Sequence, residues 1–214
     1  MYQLLDAMEY MHRCWYIHRD LKTSNILYNT QGKLSVCDFG LARKYGDPIK
    51  PYSPSNTIVT LWYRSPELLL GTKCYDASLD VWSIGCIFAE ILTGDTIFEG
   101  SGELDQLQKI FSILGRPTTE KWPGYQDLAH AKELKWKGDM KPRLATYFPR
   151  AKNSFTQGNS LSDAGYDLIS RMLQMDPTQR ISASEALNHP YFRESPVAVS
   201  ERQMPIFGEG GRPM

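Results

Sequence analysis

Apolar residues recur at helical spacing in three separate stretches of the chain. Residues 2–13 are predicted to form an amphipathic helix, whose apolar positions are Leu4, Leu5, Met8 and Met11. Residues 78–93 are apolar on almost every side, as expected of a helix buried within a domain, and Gly94 is suited to end it. A third helix is predicted from the apolar face of Leu104, Leu107, Ile110, Phe111 and Leu114.

Two short apolar runs predict strands instead. Residues 26–28 and 34–37 flank a polar segment that contains Gly32, which indicates a β-hairpin. Residues 41–67 are rich in Pro, Ser and Thr and show no periodicity, so we predict a long loop. Residues 115–160 lose the periodicity again and carry nine Lys/Arg against four Asp/Glu. This basic segment is either a solvated face or a docking surface.

The last third of the chain carries two helix-start signals. Leu161 and Tyr166 suit a hydrophobic staple around Ser162, and Ser182 with Glu185 has the spacing of a capping box. From residue 193 onward Pro, Gly and charged residues dominate, so residues 193–214 are expected to form a flexible tail. The fold class predicted by these patterns is mostly α, with one small hairpin.

Composition excludes several classes of protein. The chain has 214 residues with 24 Lys+Arg and 24 Asp+Glu, so the balanced charge gives no reason to expect nucleic acid or an acidic membrane as a partner. The four cysteines lack metal-site spacing and are expected to be reduced thiols in an intracellular protein. The longest apolar stretch, residues 81–92, is too short to cross a bilayer.

The chemistry is concentrated in two motifs, His18 to Asn25 (His-Arg-Asp-Leu-Lys-Thr-Ser-Asn) and Asp38-Phe39-Gly40. Asp20 can accept a hydroxyl proton, and Lys22 can place an ammonium against a phosphate. Asn25 and Asp38 offer the hard oxygen ligands that magnesium prefers. The predicted hairpin lies between the two motifs, and because a hairpin brings its ends together, these side chains are expected to share one site.

These motifs resemble the helical C-terminal lobe of eukaryotic protein kinases, over residues 2–192. Further kinase-like motifs follow in the same order: Ser65-Pro66-Glu67, Asp80-Val81-Trp82-Ser83-Ile84-Gly85 and Arg180. Lys22 and Thr60 are similar to the serine/threonine-specific pattern, which makes Thr60 a further catalytic candidate. Residues 60–71 resemble the cyclin-dependent kinases, and residues 45–54 are most similar to their PITSLRE-type branch.

The resemblance implies further roles at the nucleotide and phosphate sites. Leu27 is expected to line the adenine pocket together with the nucleotide-binding residues Lys22, Asn25 and Asp38. His18 and Phe39 are expected to stack as part of a packed spine through the site. Arg19 and Arg43 are expected to bind a phosphate on the activation loop, since guanidinium groups match phosphate oxygens.

The resemblance also implies roles in substrate binding and in the framework. Val59 is expected to shape a pocket that favours proline after the target Ser or Thr. Asp80 is expected to hold the backbone of the Asp20 loop. Glu67 and Arg180 are expected to form a buried ion pair, whose value lies in geometry more than in stability.

The activation segment is expected to span residues 38–67, and the family insert about 115–160. Counting forward from Asp38 makes Ser53 the activating phosphosite, whereas counting back from Thr60 makes it Ser55; Tyr52 and Pro54 favour Ser53.

The implied cofactors are ATP and Mg²⁺. The implied partners are protein substrates with Ser/Thr-Pro sites and, for the full-length protein, a cyclin, whose main contact helix is expected to be missing from this chain. The implied location is the nucleus or the cytoplasm.

A protein kinase also needs a Gly-rich loop, a strand lysine and a helix glutamate. The printed chain contains no such set, so the β-rich N-terminal lobe is expected to be absent from it, with Met1 an internal methionine of an active kinase. The chain alone is then expected to transfer phosphate at a negligible rate. The alternative is a non-catalytic lobe that acts as a binding or docking module, and a remnant without a role is the third possibility.

Overall fold

The computed structural model describes residues 1–46, 61–132, 140–150, 160–197 and 203. Several predicted site residues lie outside the described residues: Ser53, Ser55, Val59 and Thr60. Parts of the predicted insert and most of the predicted tail also lie outside them.

Within the described residues the fold consists of seven α-helices and four short strands, whose bounds are as follows: α1 Tyr2–Arg13, β1 Tyr16–Ile17, β2 Ile26–Tyr28, β3 Leu34–Val36, β4 Arg43–Lys44, α2 Pro66–Leu69, α3 Ser78–Thr93, α4 Glu103–Leu114, α5 Leu144–Tyr147, α6 Asp163–Met172 and α7 Ala183–Leu187. Short 3₁₀ turns connect several of them, including Thr23–Asn25, Phe39–Leu41 and Leu61–Tyr63.

Helix α3 lies at the centre of the hydrophobic core, and its predicted bounds are confirmed. Residues 79–89 are all buried, which explains why the sequence is apolar on every side there. Gly94 ends the helix in the left-handed conformation with φ 80°. Helix α6 packs closely on α3 at Gly85, where an added Cβ would lie 2.9 Å from Leu173 Cδ2.

Helix α1 also has its predicted bounds, and it supports the hairpin. Its apolar residues Leu4, Leu5 and Met8 are buried, and it contacts α3 and α7. The amide of Gln3 donates to Gly32 O (2.9 Å) and accepts from Leu34 N (2.7 Å). Both polar ends of one side chain therefore attach the hairpin to α1.

The predicted hairpin is confirmed as the antiparallel pair β2–β3, with Ile26 opposite Val36. The prediction that residues 41–67 form only a loop was wrong at both described ends. Residues 43–44 form β4, which pairs with β1 in the register Ile17 opposite Arg43. Helix α2 begins at Pro66, a residue suited to the first helical position because its missing N–H would have no partner there.

Helix α4 is confirmed, but one residue of its predicted apolar face is not in the core. Leu107, Ile110 and Phe111 are buried, whereas Leu104 is 57% exposed because it lies in the first turn, beyond the core. The two predicted helix starts are confirmed. Ser162 Oγ accepts from Gly165 N (2.9 Å), and Ser182 forms the reciprocal capping box with Glu185.

Two further expectations concern the thiols and the membrane. All four cysteines are free in the structure. No helix in the described parts of the chain combines the length and the apolar character that crossing a membrane requires.

Candidate active site

The loop that carries Asp20 is attached to the N-terminal turn of α3 through Asp80. The carboxylate of Asp80 is fully buried and accepts from His18 N and Arg19 N, both at 2.8 Å. His12 Nε2 on α1 donates to the same carboxylate at 2.9 Å. Arg19 has φ 71°, a conformation that costs energy for a residue with a side chain. The hydrogen bonds to Asp80 hold the loop in that conformation.

The side chains of Lys22 and Asn25 both contact the carboxylate of Asp20. Lys22 Nζ donates to Asp20 Oδ2 at 3.0 Å, and Asn25 Nδ2 donates to Asp20 O at 2.8 Å and to Oδ2 at 3.3 Å. Asp20 and Asn25 are buried. Among the described residues Asp20 Oδ1 accepts no hydrogen bond. The carboxylate therefore retains capacity to accept one more donor.

The hairpin brings the Asp38 motif to the same loop. Cys37 N donates to Asn25 O at 2.9 Å, and His18 Nε2 donates to Cys37 O at 3.0 Å. His18 Nδ1 accepts from Asp20 N at 3.3 Å, so the ring carries its proton on Nε2. The ring of Phe39 lies 5.2 Å from that of His18. The predicted meeting of the two motifs at the ends of the hairpin is confirmed.

The two side chains predicted to bind a cation, Asn25 and Asp38, lie at the two ends of the hairpin. Asn25 Nδ2 is committed to Asp20, which directs its Oδ1 away from Asp20. Asp38 is exposed and has φ 63°, and among the described residues its Oδ1 has only a long hydrogen bond from Gly40 N (3.4 Å). Within the described ranges no three His, Cys, Asp or Glu side chains group together as a metal site. This donor set fits Mg²⁺, which takes one or two protein ligands and completes its shell with water and phosphate oxygens.

Two apolar side chains beside this loop are open to solvent. Leu27 on β2 and Phe39 are each 55% exposed. Both were predicted to face a nucleotide or a packed spine. Their exposure leaves apolar area on this face for a ligand or for further protein to cover.

The two arginines predicted to bind phosphate lie along the β1–β4 pair. Arg43 is exposed on β4 and lies opposite Ile17 in the strand register. Arg19 follows Ile17 by two residues. The guanidinium of Arg19 lies 5.6 Å from the ring centre of Tyr75.

Glu67 and Arg180 form a buried bidentate ion pair. Arg180 Nη1 and Nη2 donate to Glu67 Oε1 and Oε2 at 2.8 and 3.0 Å. The guanidinium also donates to Ser78 O (2.8 Å) and Gln174 O (3.0 Å), and it lies 5.2 Å from the ring centre of Trp82. This pair joins the start of α2 to the α6–α7 connection.

Sequence reasoning missed a hydrogen-bonded group formed by Thr23, Tyr63 and Glu90. Thr23 Oγ1 donates to Glu90 Oε1 at 3.1 Å, and Tyr63 OH donates to Glu90 Oε2. Burial, together with the hydrogen bond to Glu90, raises the pKa of Tyr63 to about 12. The one available signal was Glu90 itself, a charged residue that interrupts the apolar run of α3.

Comparison with known proteins agrees with this geometry. The family model described as "Protein kinase domain" matches residues 1–192. The chain is 51% identical to Cyclin-dependent kinase G-1 of Oryza sativa subsp. indica over 97% of this chain and 29% of the relative. It is 45% identical to Cyclin-dependent kinase 11B of Homo sapiens over 97% of this chain and 25% of the relative.

A solved structure is also similar. A chain of the yeast RNA Pol II CTD kinase CTDK-1 complex superposes with a TM-score of 0.83 at 38% identity, over 94% of this chain and 63% of that chain. The chain thus spans between a quarter and a third of the two curated relatives named above.

Proposed function

The chain belongs to the protein kinase family, and from this membership we propose that it forms the substrate-side lobe of a proline-directed serine/threonine kinase of the cyclin-dependent type. The observation that supports this most strongly is the Asp20 carboxylate. It is contacted by Lys22 and Asn25 and keeps an oxygen without a hydrogen-bond partner among the described residues. A carboxylate held in this way is suited to accept the proton of a substrate hydroxyl.

The proposed reaction transfers the γ-phosphoryl group of ATP to a Ser or Thr hydroxyl. A bond forms between the hydroxyl oxygen and the γ-phosphorus, and the bond from that phosphorus to the β–γ bridging oxygen breaks, releasing ADP. The hydroxyl proton passes to Asp20. Lys22, held 3.0 Å from Asp20 Oδ2, neutralises charge on the transferred group. Positioning and charge neutralisation supply most of the rate in this type of reaction.

Asn25 and Asp38 are the residues that would hold Mg²⁺. When bound, the cation neutralises phosphate oxygens and orients them. The protein's own contribution is to fix the two ligands relative to Asp20. Cys37, the residue before Asp38, donates its N–H to Asn25 O and so holds the two ligands together. Leu27, exposed on β2, is proposed to line the adenine pocket.

Regulation and partners are proposed from the family and from the relatives' names. Phosphorylated Ser53 is proposed to bind Arg19 and Arg43, and Val59 and Thr60 are proposed to contact the substrate. The relatives are named cyclin-dependent, and the yeast neighbour is named an RNA Pol II CTD kinase. A cyclin partner, Ser/Thr-Pro substrates and a nuclear location follow as proposals for this chain.

A non-catalytic docking lobe is the second candidate. The exposed apolar side chains of Leu27 and Phe39 favour it, because they offer a surface to another protein. Such a lobe would bind its partners without consuming ATP.

The proposed function can be tested on the protein isolated from its own cells with its partners. Asp20→Asn keeps the size of the side chain but removes the proton acceptor, so we expect phosphate incorporation into a Ser-Pro peptide to fall at least about 100-fold. Asp6→Asn, on the exposed face of α1, should leave the rate unchanged. A matched Ser-Ala peptide tests the preference for proline.

Two results would count against the proposal. Equal rates for Asp20→Asn and the unaltered protein would exclude Asp20 as the proton acceptor. Partner binding without ATP consumption in the unaltered protein would favour the docking lobe.

A further inference from the structure

Three residues from distant parts of the chain form a closed ring of hydrogen bonds. Trp62 Nε1, near the end of the predicted activation segment, donates to Gly100 O at 3.0 Å. Gly100 N donates to Gln106 Oε1 on α4 at 2.8 Å, and Gln106 Nε2 donates back to Trp62 O at 3.1 Å. Each residue both donates and accepts in this ring.

The Gln106 side chain is specialised for this contact. The residue is completely buried, and a buried amide is costly unless both of its ends are hydrogen-bonded. Gly100 meets a matching requirement. A Cβ at that position would lie 2.5–2.6 Å from Gln106 Oε1, N and Cα, so a larger residue would displace the backbone of α4 or the amide.

The residues after Trp62 are fixed as well. Ser83 Oγ on α3 donates to Tyr63 O at 2.9 Å, and Arg64 pairs with Glu103 on α4. Residues 62–64 are therefore attached to both helices by side chains. Of these attachments, only the Gly100–Gln106 pair bonds Trp62 itself. Gly100 O accepts from the Trp62 indole, and Gln106 Nε2 donates to the Trp62 carbonyl.

We propose that Gln106 is a positioning residue for protein substrates. It fixes Trp62, which follows Thr60 by two residues in the sequence, and Thr60 is proposed above to contact the substrate. Gln106 itself contacts neither substrate nor nucleotide. This inference rests on the proposed kinase function.

The first test measures the ring without any assay of activity. Gln106→Met removes both hydrogen bonds at nearly constant volume, and Gly100→Ala disturbs the same ring from its other side. We expect faster hydrogen exchange of the Trp62 indole N–H in both variants, measured by NMR. Trp62→Phe assigns that signal among the five tryptophans. Gln108→Met, an exposed glutamine on the same helix, is the matched control and should leave the exchange rate unchanged.

The second test measures the consequence for substrates in the complex isolated from cells. We expect the KM for a Ser-Pro protein substrate to rise about five- to tenfold in Gln106→Met, the loss that one or two buried hydrogen bonds produce. The KM for ATP and kcat should stay unchanged, because Asp20, Lys22 and Asn25 are attached separately through Asp80. Trp62→Phe, which removes only one bond, should shift the substrate KM in the same direction.

The outcomes separate this inference from the proposed function. Unchanged indole exchange in Gln106→Met overturns the inference, whatever the activity. Faster exchange with an unchanged substrate KM overturns the positioning role while leaving the kinase function intact. Absence of phosphotransfer in the unaltered complex overturns the proposed function and the substrate role with it.

Discussion

A single carboxylate, Glu90, connects the loop of Asp20 to the segment that contains Tyr63. It accepts from Thr23 on one oxygen and from Tyr63 on the other. Thr23 Oγ1 also lies 3.2 Å from Tyr63 OH, so the two hydroxyls and the carboxylate all lie within hydrogen-bonding distance, and the two hydroxyl hydrogens make two of the three bonds at a time. Because Thr23 directly follows Lys22, Glu90 joins the side chain of Tyr63 to the Asp20 loop, while the Tyr63 carbonyl is held separately by Ser83.

The raised pKa of Tyr63 makes this contact measurable. An unfolded tyrosine loses its proton near pH 10, whereas folded Tyr63 keeps it until about 12. Between these values the folded state binds the extra proton, so the stability from this contact is complete below pH 10 and is lost as the pH rises through 12. The tyrosinate absorbance of Tyr63→Phe can be subtracted from that of the unaltered chain at each pH. We expect this difference to rise with a midpoint near pH 12.

Tyr10→Phe provides the comparison. Tyr10 is 62% exposed on α1, so this variant controls for the loss of one tyrosine without loss of the contact to Glu90. A midpoint near 10 for the Tyr63→Phe difference would show that Tyr63 is solvated and not bonded to Glu90.

Among the elements, the long periodic helices could be predicted from the sequence and the shortest elements could not. α1 and α3 have their predicted bounds because an apolar face repeated over three or more turns leaves few alternatives. β4 has only two residues and exists because Tyr16–Ile17 lies beside it. Its partner is more than 20 residues away in the sequence, and no local pattern carries that information.

The apolar pattern alone also misplaced one side chain. Leu104 has the spacing of a core residue but is exposed, because the first turn of α4 is covered on the side of Gln106 and not on the side of Leu104. Periodicity predicts which face of a helix is apolar. It does not predict how far along its length the helix stays covered.

The capping box of α7 gives a test at the scale of one element. Ser182 Oγ accepts from Glu185 N, and Glu185 Oε2 accepts from Ser182 N and Ser182 Oγ. We expect Ser182→Ala to lower the free energy of unfolding by about 1 kcal/mol in urea denaturation at neutral pH. Ser184→Ala, at an exposed position of the same helix, should cost less.

The same cap has a pH dependence with a defined sign. The hydrogen bonds from Ser182 hold the pKa of Glu185 below its ordinary value of 4.5. The contribution of the Glu185 carboxylate to the free energy of unfolding is therefore present above pH 4.5 and is lost as the pH falls through the lowered pKa. The gap in stability between the unaltered chain and Ser182→Ala should narrow in that acidic range. A gap that stays constant would contradict a role for the Glu185 carboxylate.

At the scale of the whole molecule, Glu67 and Arg180 join segments 113 residues apart in the sequence. Arg180→Met leaves the Glu67 carboxylate buried without its partner, and we expect this to cost about 3–5 kcal/mol in urea denaturation. The double variant Glu67→Gln/Arg180→Met removes that stranded charge and should recover part of the loss. Additive costs of the two single changes would show that the two side chains are not coupled.

The candidate site follows the same division between local and long-range information. Asp20, Lys22 and Asn25 could be predicted to lie together because they are within six residues of one another. His12, Glu90 and Gln106 could not. Their hydrogen bonds reach across 68, 67 and 44 residues, respectively. The sequence therefore predicts the candidate catalytic residues better than the residues that hold them in place.

Helix α3 contacts the loop of Asp20 at two points, through Asp80 at its start and through Glu90 near its end. Ten residues of α-helix separate them, a rise of about 15 Å, and their side chains leave the axis within about 80° of each other. One residue added or removed between them would rotate Glu90 by about 100° and break that correspondence. The number of residues between Asp80 and Glu90 is thus set by the two contacts that α3 makes with the Asp20 loop.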